Sequence, residues 1–329
     1  MAGLRCNNRL TAWLAVIGLL ITGCEAPLNL SGVEWQQSQT KMRFDMYQAI
    51  ARSGDTTVVV SSTGAVLVSD NGGYSWARKE LEGNPTLIDV VACPDGRFVA
   101  LDTRRFIWTA DSDGNWSSRP IDTQESVLAL TCDPSNRLWV TASFSTLLHS
   151  SNVGESWEMI SFDEDLQFTT IQFVDEDWGV ATGEFGTVMI TTDGGETWEP
   201  GEYIPNEFYP MDAVFTDHEN GWIVGLNGIT WMTDDGAASW QRIDVPSPTP
   251  LYGVAAHGDR IYVVGEGGAV FFWDGSVWRA PAGLPTILSY LRGVEVLDES
   301  TILVAGGFGA NMRVTTTETV AMATDEVQQ

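Results

Sequence analysis

Apolar and polar residues alternate in short runs along most of this chain, and glycine, aspartate and asparagine separate the runs. Period-two alternation with β-branched and aromatic residues predicts strands. One set of runs opens each unit, at residues 88–92, 127–130, 170–173, 212–215, 252–255 and 292–296. A second set opens on a large apolar residue, near Val58, Phe98, Trp139, Trp178, Trp222, Tyr262 and Leu303. No segment after residue 30 has a convincing helical period, so we expect an all-β fold.

Tryptophan recurs at nearly the same place in each unit. Six tryptophans, most of them just after a glycine-containing turn, are 40, 41, 41, 42 and 38 residues apart: Trp76, Trp116, Trp157, Trp198, Trp240 and Trp278. Such spacing indicates a repeated supersecondary unit, and four short strands in about 40 residues form one blade of a β-propeller. The seven second-strand starts predict a seven-bladed β-propeller.

The two ends of the repeat region support the same count. The seventh unit runs to about residue 316 without a tryptophan strand, whereas residues 32–37, around Trp35, resemble the last strand of a blade. We expect this N-terminal strand to complete the last blade, because pairing there leaves no exposed sheet edge. The predicted propeller spans residues 32–316, and residues 317–329 are predicted to be a flexible polar tail.

The first residues have the features of a lipoprotein signal. Arg5 and Arg9 precede an apolar run at 10–21, which is shorter than the roughly 20 residues that a membrane helix needs. The run ends in the lipobox Ile21-Thr22-Gly23-Cys24. An ordinary signal peptide with a chance cysteine is the alternative.

The lipobox sets the predicted domain boundaries before the propeller. We expect residues 1–23 to be a signal peptide that is removed, Cys24 to carry the lipid, and residues 24–31 to form a tether. The protein would then be anchored on the periplasmic side of the cell envelope. Glu25, in place of an aspartate, favours the outer membrane.

The chain is strongly acidic. After residue 23 it carries 15 basic and 44 acidic residues, a formal net charge of −29. Nucleic acid is excluded as a partner, because phosphate binding needs positive charge. Only two lysines occur, Lys41 and Lys79, which suggests a high-salt source, although simple solubility through net charge explains the same composition.

The glycine-tryptophan turns resemble the Asp-box, or BNR repeat, which is written Ser/Thr-x-Asp-x-Gly-x-Thr/Ser-Trp. Residues 191–198 match it fully, 69–76 and 150–157 match with asparagine in the aspartate place, and 233–240 is interpreted as carrying one extra residue. Blades two and six match only in part. The predicted structural Asp-box residues are Asn71, Gly73, Trp76, Asn152, Gly154, Trp157, Asp193, Gly195, Trp198, Asp234, Gly236 and Trp240.

The physical role of these residue types is local. A carboxylate or amide oxygen accepts backbone N–H bonds within the turn, glycine takes a positive φ, and the indole covers the hairpin. We therefore expect the boxes to be structural, between the third and fourth strands of each blade.

Residues 178–198 are similar to the repeat of the photosystem II stability and assembly factor family. This resemblance implies a seven-bladed propeller that acts without catalysis as an assembly factor and docks on membrane-protein intermediates, partly through an arginine-rich patch. In this chain Arg104 and Arg105 are the only adjacent arginines. Some members of that family are also lipoproteins. The family acts in the assembly of photosystem II, so the resemblance implies a link to photosynthesis.

One loop stands out as a candidate partner surface. Residues 203–211 are the most aromatic segment outside the strands, and their prolines stiffen the loop. Exposed Phe208 and Tyr209 would favour partner recognition. The alternative is that both rings pack under the blade. Residues 284–291 form a second, weaker candidate.

Catalytic and metal sites are not indicated. Sialidases share the Asp-box on six-bladed propellers, but they need an arginine triad, a tyrosine nucleophile and an acid/base aspartate. The histidines His149, His218 and His257 have no ligand spacing, so we expect no metal and no cofactor. Cys93 and Cys132 occupy equivalent ends of neighbouring first strands, and either a disulfide or two buried thiols is compatible with the sequence.

The sequence therefore predicts a non-catalytic, lipid-anchored propeller that acts as a scaffold or assembly factor for a membrane or envelope protein complex of unknown identity. No small-molecule substrate is expected. The alternative is a sialidase-like glycosidase or a glycan-binding propeller.

Overall fold

The structure is a computed structural model, and it describes residues 40–316. The predicted signal peptide, the lipidation site Cys24, the tether, the closing strand around Trp35 and the polar tail lie outside the described residues. They remain predictions.

The described chain forms seven antiparallel sheets, each a meander in which consecutive strands pair. Blades one to three contain β1 Tyr47–Ser53, β2 Thr56–Ser61, β3 Ala65–Ser69, β4 Ala77–Glu80; β5 Leu87–Ala92, β6 Phe98–Asp102, β7 Phe106–Ala110, β8 Trp116–Pro120; and β9 Val127–Cys132, β10 Leu138–Ala142, β11 Thr146–Ser150, β12 Glu158–Ser161.

Blades four to seven follow the same plan. They contain β13 Phe168–Phe173, β14 Gly179–Gly183, β15 Val188–Thr191, β16 Glu199–Pro200; β17 Pro210–Phe215, β18 Gly221–Gly225, β19 Thr230–Thr233, β20 Gln241–Arg242; β21 Leu251–His257, β22 Arg260–Gly265, β23 Val270–Trp273, β24 Trp278–Arg279; and β25 Leu291–Asp298, β26 Thr301–Gly306, β27 Asn311–Thr315. Within the described residues, blade seven has three strands.

The first strands of successive blades contact one another around a central channel, and β25 contacts β1, so the blades form a closed ring. The prediction of an all-β, seven-bladed propeller is confirmed. Helical structure within residues 40–316 is limited to short 3-10 turns after the second strands of blades four to seven, at Glu184–Gly186, Leu226–Gly228, Glu266–Gly268 and Gly307–Gly309.

The core lies between blades because each second strand is buried on both faces. β6, β10, β14, β18 and β26 place apolar residues against the neighbouring sheets, as face-to-face packing of blades requires. The indole of Trp139 in blade three, for example, contacts Phe173 and Trp198 of blade four, with ring centroids 5.1 and 5.9 Å apart. Burial of such large rings stabilises the ring of blades by the hydrophobic effect.

The ring has two different ends, which we name by their turns. The box face carries the turns between first and second strands and the Asp-box turns between third and fourth strands. The tip face carries the turns between second and third strands and the loops that join one blade to the next. This assignment follows from the antiparallel order of every sheet.

A disulfide and a buried ion pair stabilise two parts of the ring. Cys93 and Cys132 form a disulfide with their Cα atoms 5.2 Å apart, which joins blades two and three and answers the question that the sequence left open. Arg78 makes a buried ion pair with Asp45 at 2.6 Å, and Tyr47 donates to the same carboxylate at 2.8 Å. This pair holds the segment before β1 against blade one.

Among the described residues, no helix has the length and apolar character needed to cross a membrane.

Candidate partner-binding surface

The Asp-box turns are closed networks. In blade four, Thr191 donates to Asp193 at 2.8 Å, and the backbone N–H of Gly195 donates to Thr191 at 2.8 Å. Thr197 donates to Asp193 through its hydroxyl at 2.6 Å and its N–H at 2.9 Å. These bonds, above all the one from the Thr197 hydroxyl, lower the pKa of Asp193 to about 2. The carboxylate is therefore committed to its own turn.

Asparagine replaces the aspartate in blades one and three without changing the network. Asn71 accepts the N–H of Ser75 at 3.0 Å, and Asn152 accepts the N–H of Ser156 at 2.9 Å. Each amide nitrogen also donates to the hydroxyl of the same serine. The amide group thus keeps both contacts to the last hydroxyl residue of the box, but its nitrogen donates to that hydroxyl, whereas the blade-four carboxylate accepts from it.

The glycine of each box packs against the preceding blade. A Cβ on Gly195 would lie 2.5 Å from Cζ2 of Trp139, and a Cβ on Gly154 would lie 3.2 Å from Cγ1 of Ile107. Gly73 faces Leu303 of blade seven in the same way. The box glycines therefore allow close approach between blades as well as a positive φ.

The box tryptophans also serve the fold. Trp198 is buried among Trp139 and Phe173, and Trp157 packs against the core cluster of blades two and three. Trp76 donates from Nε1 to Gly73 O at 3.1 Å. Trp240 donates to Glu202 O at 3.0 Å, across to the blade-four linker.

The interpretation of blade five was wrong in its register. Asp235, not Asp234, accepts from Thr233 at 2.9 Å and from both groups of Ser239 at 2.8 and 2.6 Å. Ala237, not Gly236, donates its N–H to Thr233 at 2.9 Å. Residues 233–240 thus form a box of ordinary length. Ala237 takes the glycine place at φ 65°, where its methyl group is buried beside Trp178.

The predicted aromatic pair is divided between the core and the surface. Phe208 is 8 % exposed and packs on Gly225 and edge-on to Trp231, so its assignment to a partner surface was wrong. Gly225 has no side chain, and the Phe208 ring fills the space above it. Tyr209, the next residue, is 37 % exposed on the tip face.

The predicted arginine pair lies on the tip-face turn of blade two. Arg104 is exposed, with its guanidinium 3.7 Å from the buried carboxylate of Asp102. Arg105 donates to Gln124 O at 3.4 Å. The structure places this pair on the same face as Tyr209 but does not bring them together, since blade three and most of blade four intervene.

A crevice opens beside Tyr209. It has a volume of about 410 Å³ and lies between the linker at 205–209 and the blade-five turn. Trp231 and Ile229 line it together with Leu226, and Glu207 and Arg242 supply charges. A crevice of this size accommodates one or two large side chains of a partner.

The tip face carries further apolar side chains that are more than one third exposed. Two of them lie in loops that the sequence singled out, Tyr203 in residues 203–211 and Leu288 in residues 284–291. The sequence patterns predicted nothing about the others: Phe44, Phe144, Phe185, Leu226 and Phe308. A signal was present, because Phe185 and Phe308 each precede a glycine in a short turn that does not need an aromatic residue. The alternation of apolar and polar residues could not reveal these side chains, because a turn has no buried apolar face.

The central channel has a volume of about 620 Å³ and contains unexpected carboxylates. Asp89 accepts the N–H of Leu130 in the next blade at 2.8 Å, and Asp212 accepts that of Val254 at 2.9 Å. Burial raises the pKa of Asp89 to about 6 and that of Asp212 to about 7, while Arg292 opposes both shifts.

These carboxylates bridge neighbouring blades. Within residues 40–316 no group of three or more His, Cys, Asp or Glu side chains could hold a metal ion. Asp89 and Asp212 accept hydrogen bonds that link the first strands of neighbouring blades. Burial raises the affinity of both carboxylates for protons.

Known proteins share the repeat pattern of blades four to six. The family model for the photosynthesis system II assembly factor YCF48 matches residues 150–282, which include these blades. Photosystem II assembly lipoprotein Ycf48 of Picosynechococcus sp. is 34 % identical over 203 residues, 57 % of this chain and 58 % of that protein. Photosystem II assembly protein Ycf48 of Thermosynechococcus vestitus is 32 % identical over 196 residues, 55 % of this chain and 54 % of that protein.

Solved structures agree on the fold. A structure described as YCF48 bound to D1 peptide has a TM-score of 0.69 at 14 % identity, covering 84 % of this chain and 94 % of that one. A streptogramin B lyase has a TM-score of 0.73 at 11 % identity, covering 85 % and 95 %. At such identities the likeness shows the propeller alone.

The matched segments span little more than half the length of the curated relatives. Within that segment, the repeat pattern and the family model agree. In sequence over residues 150–282, and in its seven-bladed fold, the chain therefore resembles the photosystem II assembly factors of the Asp-box propeller family.

Proposed function

We propose that this protein is a lipid-anchored, non-catalytic assembly factor that docks on a membrane protein. The observation that carries the proposal is the match over blades four to six to a family of photosystem II assembly factors. One structural neighbour is described as bound to a D1 peptide, so we infer that the partner here presents a peptide segment.

The docking site that we propose is the crevice beside Tyr209. It lies in the part of the chain that the family model matches, and Trp231 and Leu226 give it an apolar lining. Glu207 and Arg242, whose guanidinium is paired with Asp244 at 2.6 Å, add polar groups to the same lining. A lining that combines apolar and polar groups is usual in a protein-binding pocket.

A non-catalytic role fits the use of the carboxylates. Asp193 and Asp235 are held within their turns, and Asp89 and Asp212 bond the backbone of neighbouring blades. Each is occupied by at least two donors. A general acid or base must instead present its proton to a substrate.

The anchor and location complete the proposal. Cys24 carries lipid on the periplasmic side of the envelope, and relatives named lipoproteins support this. Glu25 supports the outer membrane.

Affinity purification from detergent-solubilised membranes tests the function. We expect one membrane protein to be recovered in near-stoichiometric amount with the wild type, and at least tenfold less with the double variant Tyr209→Ser, Leu226→Ser. The matched control is Met159→Ser, which removes a 63 % exposed side chain from an outer strand of blade three. Recovery of no membrane protein, or equal recovery with the crevice variant, would contradict the proposal.

A further inference from the structure

The large exposed apolar side chains are concentrated on one end of the ring. Within residues 40–316 eleven such side chains occur, and eight of them lie on the tip face: Phe44, Phe144, Phe185, Tyr203, Tyr209, Leu226, Leu288 and Phe308. The other three, Tyr74, Met159 and Val277, lie on the box face or an outer strand. This concentration makes the tip face the apolar end of the ring.

Three of the tip-face phenylalanines occupy the same place in the turn after the second strand, in blades three, four and seven. Phe144, Phe185 and Phe308 have φ angles of 54°, 60° and 54°. Blades five and six have Asn227 at φ 60° and Gly267 at φ 64° in that place.

This backbone conformation suits glycine or asparagine and is disfavoured for a bulky side chain. The turn itself does not require phenylalanine, since two blades form it without one. Yet the three rings are 55, 56 and 65 % exposed, so they gain little from burial in the fold. The backbone of these turns is strained by a side chain that the fold does not bury. Such strain suggests that the three rings contact another molecule.

The arrangement of the rings fits a planar partner. The turns belong to a closed ring and all lie at one end of their sheets, so the tips project in the same direction from blades three, four and seven. A single peptide in a groove would contact neighbouring blades, whereas a flat surface contacts separated blades at once. Aromatic side chains favour the boundary between lipid and water.

The described chain also begins on this face. The backbone around Met42 and Asp45 contacts the blade-seven turn, where Gly309 donates its N–H to Asp45 O at 2.8 Å. Residues 32–37 are predicted to form the fourth strand of blade seven, which would run from the box face to the tip face, so the free tether is residues 24–31 and spans at most about 28 Å. This length exceeds the roughly 20 Å of a six-residue strand, so the lipid at Cys24 can return to the tip face. A bilayer is therefore within reach, and in this respect the inference depends on the proposed function.

Charge selects the kind of lipid. The mature chain has a formal net charge of −29, which repels anionic headgroups. Exposed carboxylates lie on both faces, for example Asp70 and Asp193 on the box face and Glu207 and Glu266 on the tip face, where Arg43 and Arg104 are also exposed. Charge therefore disfavours anionic lipid at either face, and it is the exposed apolar side chains that distinguish the tip face.

We propose that the tip face rests on a lipid bilayer of uncharged or zwitterionic headgroups, with the rings of Phe144, Phe185 and Phe308 inserted at the interface. The propeller is then held in one orientation, with its box face away from the bilayer. The crevice beside Tyr209 would open at the membrane surface, where a segment of a membrane protein emerges.

Photo-cross-linking of lipid to the mature protein tests this orientation. The protein is reconstituted, without any other protein, into phosphatidylcholine vesicles that contain a photoactivatable phosphatidylcholine, and cross-linked peptides are mapped by mass spectrometry. We expect cross-links in the peptides that contain Phe144, Phe185 and Phe308, and at least fivefold fewer in those that contain Tyr74 and Val277.

The matched variants separate insertion from folding. Phe144→Asn, Phe185→Asn and Phe308→Asn are combined, because Asn227 shows that this turn forms with asparagine, and we expect at least fivefold fewer tip-face cross-links. The control combines Tyr74→Asn, Met159→Asn and Val277→Asn and keeps the wild-type pattern. Vesicles with added phosphatidylglycerol should give fewer cross-links.

The alternative results overturn the proposal. Cross-links spread over both faces, or confined to residues 25–43, would mean that the propeller is tethered without orientation. If the phenylalanine variant keeps its lipid cross-links but loses the partner in affinity purification, the tips bind protein instead, and the proposed function survives. If the mass of the N-terminal peptide shows no acyl chain, the proposed anchor fails, and flotation of the unlipidated protein with the same vesicles decides between binding and no binding.

Discussion

Gly195 of blade four lies directly against the indole of Trp139 in blade three, so closely that a Cβ would be 2.5 Å from Cζ2 of the ring. Trp139 is completely buried, and its ring also contacts Phe173 and Trp198. The Asp-box of blade four is therefore a packing contact between blades as well as a turn. The neighbouring indole leaves no room for a side chain at Gly195.

Gly195→Ala should lower the free energy of unfolding by about 2–3 kcal/mol, because overpacking is added to the cost of a positive φ. Gly114 is the control, since it has φ 75° and a Cβ added there would meet nothing within 4 Å. Gly114→Ala should cost about 1 kcal/mol. Urea unfolding of both variants measures the difference, and equal losses would show that Trp139 does not restrict the site.

The corrected register of blade five makes a prediction for two adjacent carboxylates. Asp235→Ala removes three hydrogen bonds and should lower the midpoint temperature of unfolding. Asp234→Ala should leave that temperature nearly unchanged, because Asp234 makes no side-chain hydrogen bond to the described residues. Thermal unfolding distinguishes the two. A larger effect at Asp234 would restore the original assignment.

The disulfide between blades two and three should be a measurable part of the stability. It closes a loop of 39 residues, and the loss of loop entropy in the unfolded chain corresponds to about 4 kcal/mol. Reduction should lower the urea midpoint of the wild type. The double variant Cys93→Ser, Cys132→Ser should show the lower midpoint with and without reductant, and an unchanged wild-type midpoint would mean that the bond is absent.

The channel carboxylates predict a dependence of stability on pH. Their pKa values are raised to about 6 for Asp89 and about 7 for Asp212, above the ordinary value of 3.8. The folded state therefore holds more protons than the unfolded state between about pH 4 and 7, and its stability falls as pH rises through this range. Arg292 faces both groups and limits the effect.

Asp212→Asn should remove part of that dependence, because it removes the buried charge; its single amide oxygen can accept from Val254 or from Ala213 but not from both, and that loss is the same at every pH. Relative to the wild type, we expect the free energy of unfolding of the variant to be higher at pH 8 than at pH 4 by on the order of 2 kcal/mol. Chemical unfolding at both pH values gives the comparison. Identical pH profiles for wild type and variant would show that Asp212 is not the titrating group.

The strained tips make a separate stability prediction. Phe185→Asn should raise the free energy of unfolding by about 1 kcal/mol, because the left-handed conformation is easier for asparagine. The reverse change, Asn227→Phe, should lower it by a similar amount. Thermal unfolding measures both changes, and a loss of stability in Phe185→Asn would mean that the ring supports the fold.

The sequence predicted the ring more completely than its surfaces. Alternation and the tryptophan spacing located the blades, because each strand buries a face and each box packs on a neighbour. Asp234 was assigned wrongly because two adjacent aspartates are equivalent until their bonds are seen. Phe208 was assigned wrongly because the composition of a loop does not show which of its rings fills the space above Gly225, on the second strand of the hairpin that follows.

Other features had no sequence signal of their own. The spacing of Cys93 and Cys132 gives their positions on equivalent strands but not the distance between blades. Asp89 and Asp212 were hidden among many acidic residues, and only a shared bulge at the start of each first strand turns them into the channel. The tip face became visible only when turns from separate blades were placed together.

Cross-linking of the protein in its native membranes tests most directly the claim that the tip face docks on a membrane protein. Because the chain has only two lysines, a carboxylate-reactive cross-linker is the suitable reagent. We predict cross-links from one membrane protein to tip-face carboxylates such as Glu184 and Glu207. Cross-links confined to Asp70 and Asp234 on the box face, or none to any membrane protein, would contradict that claim.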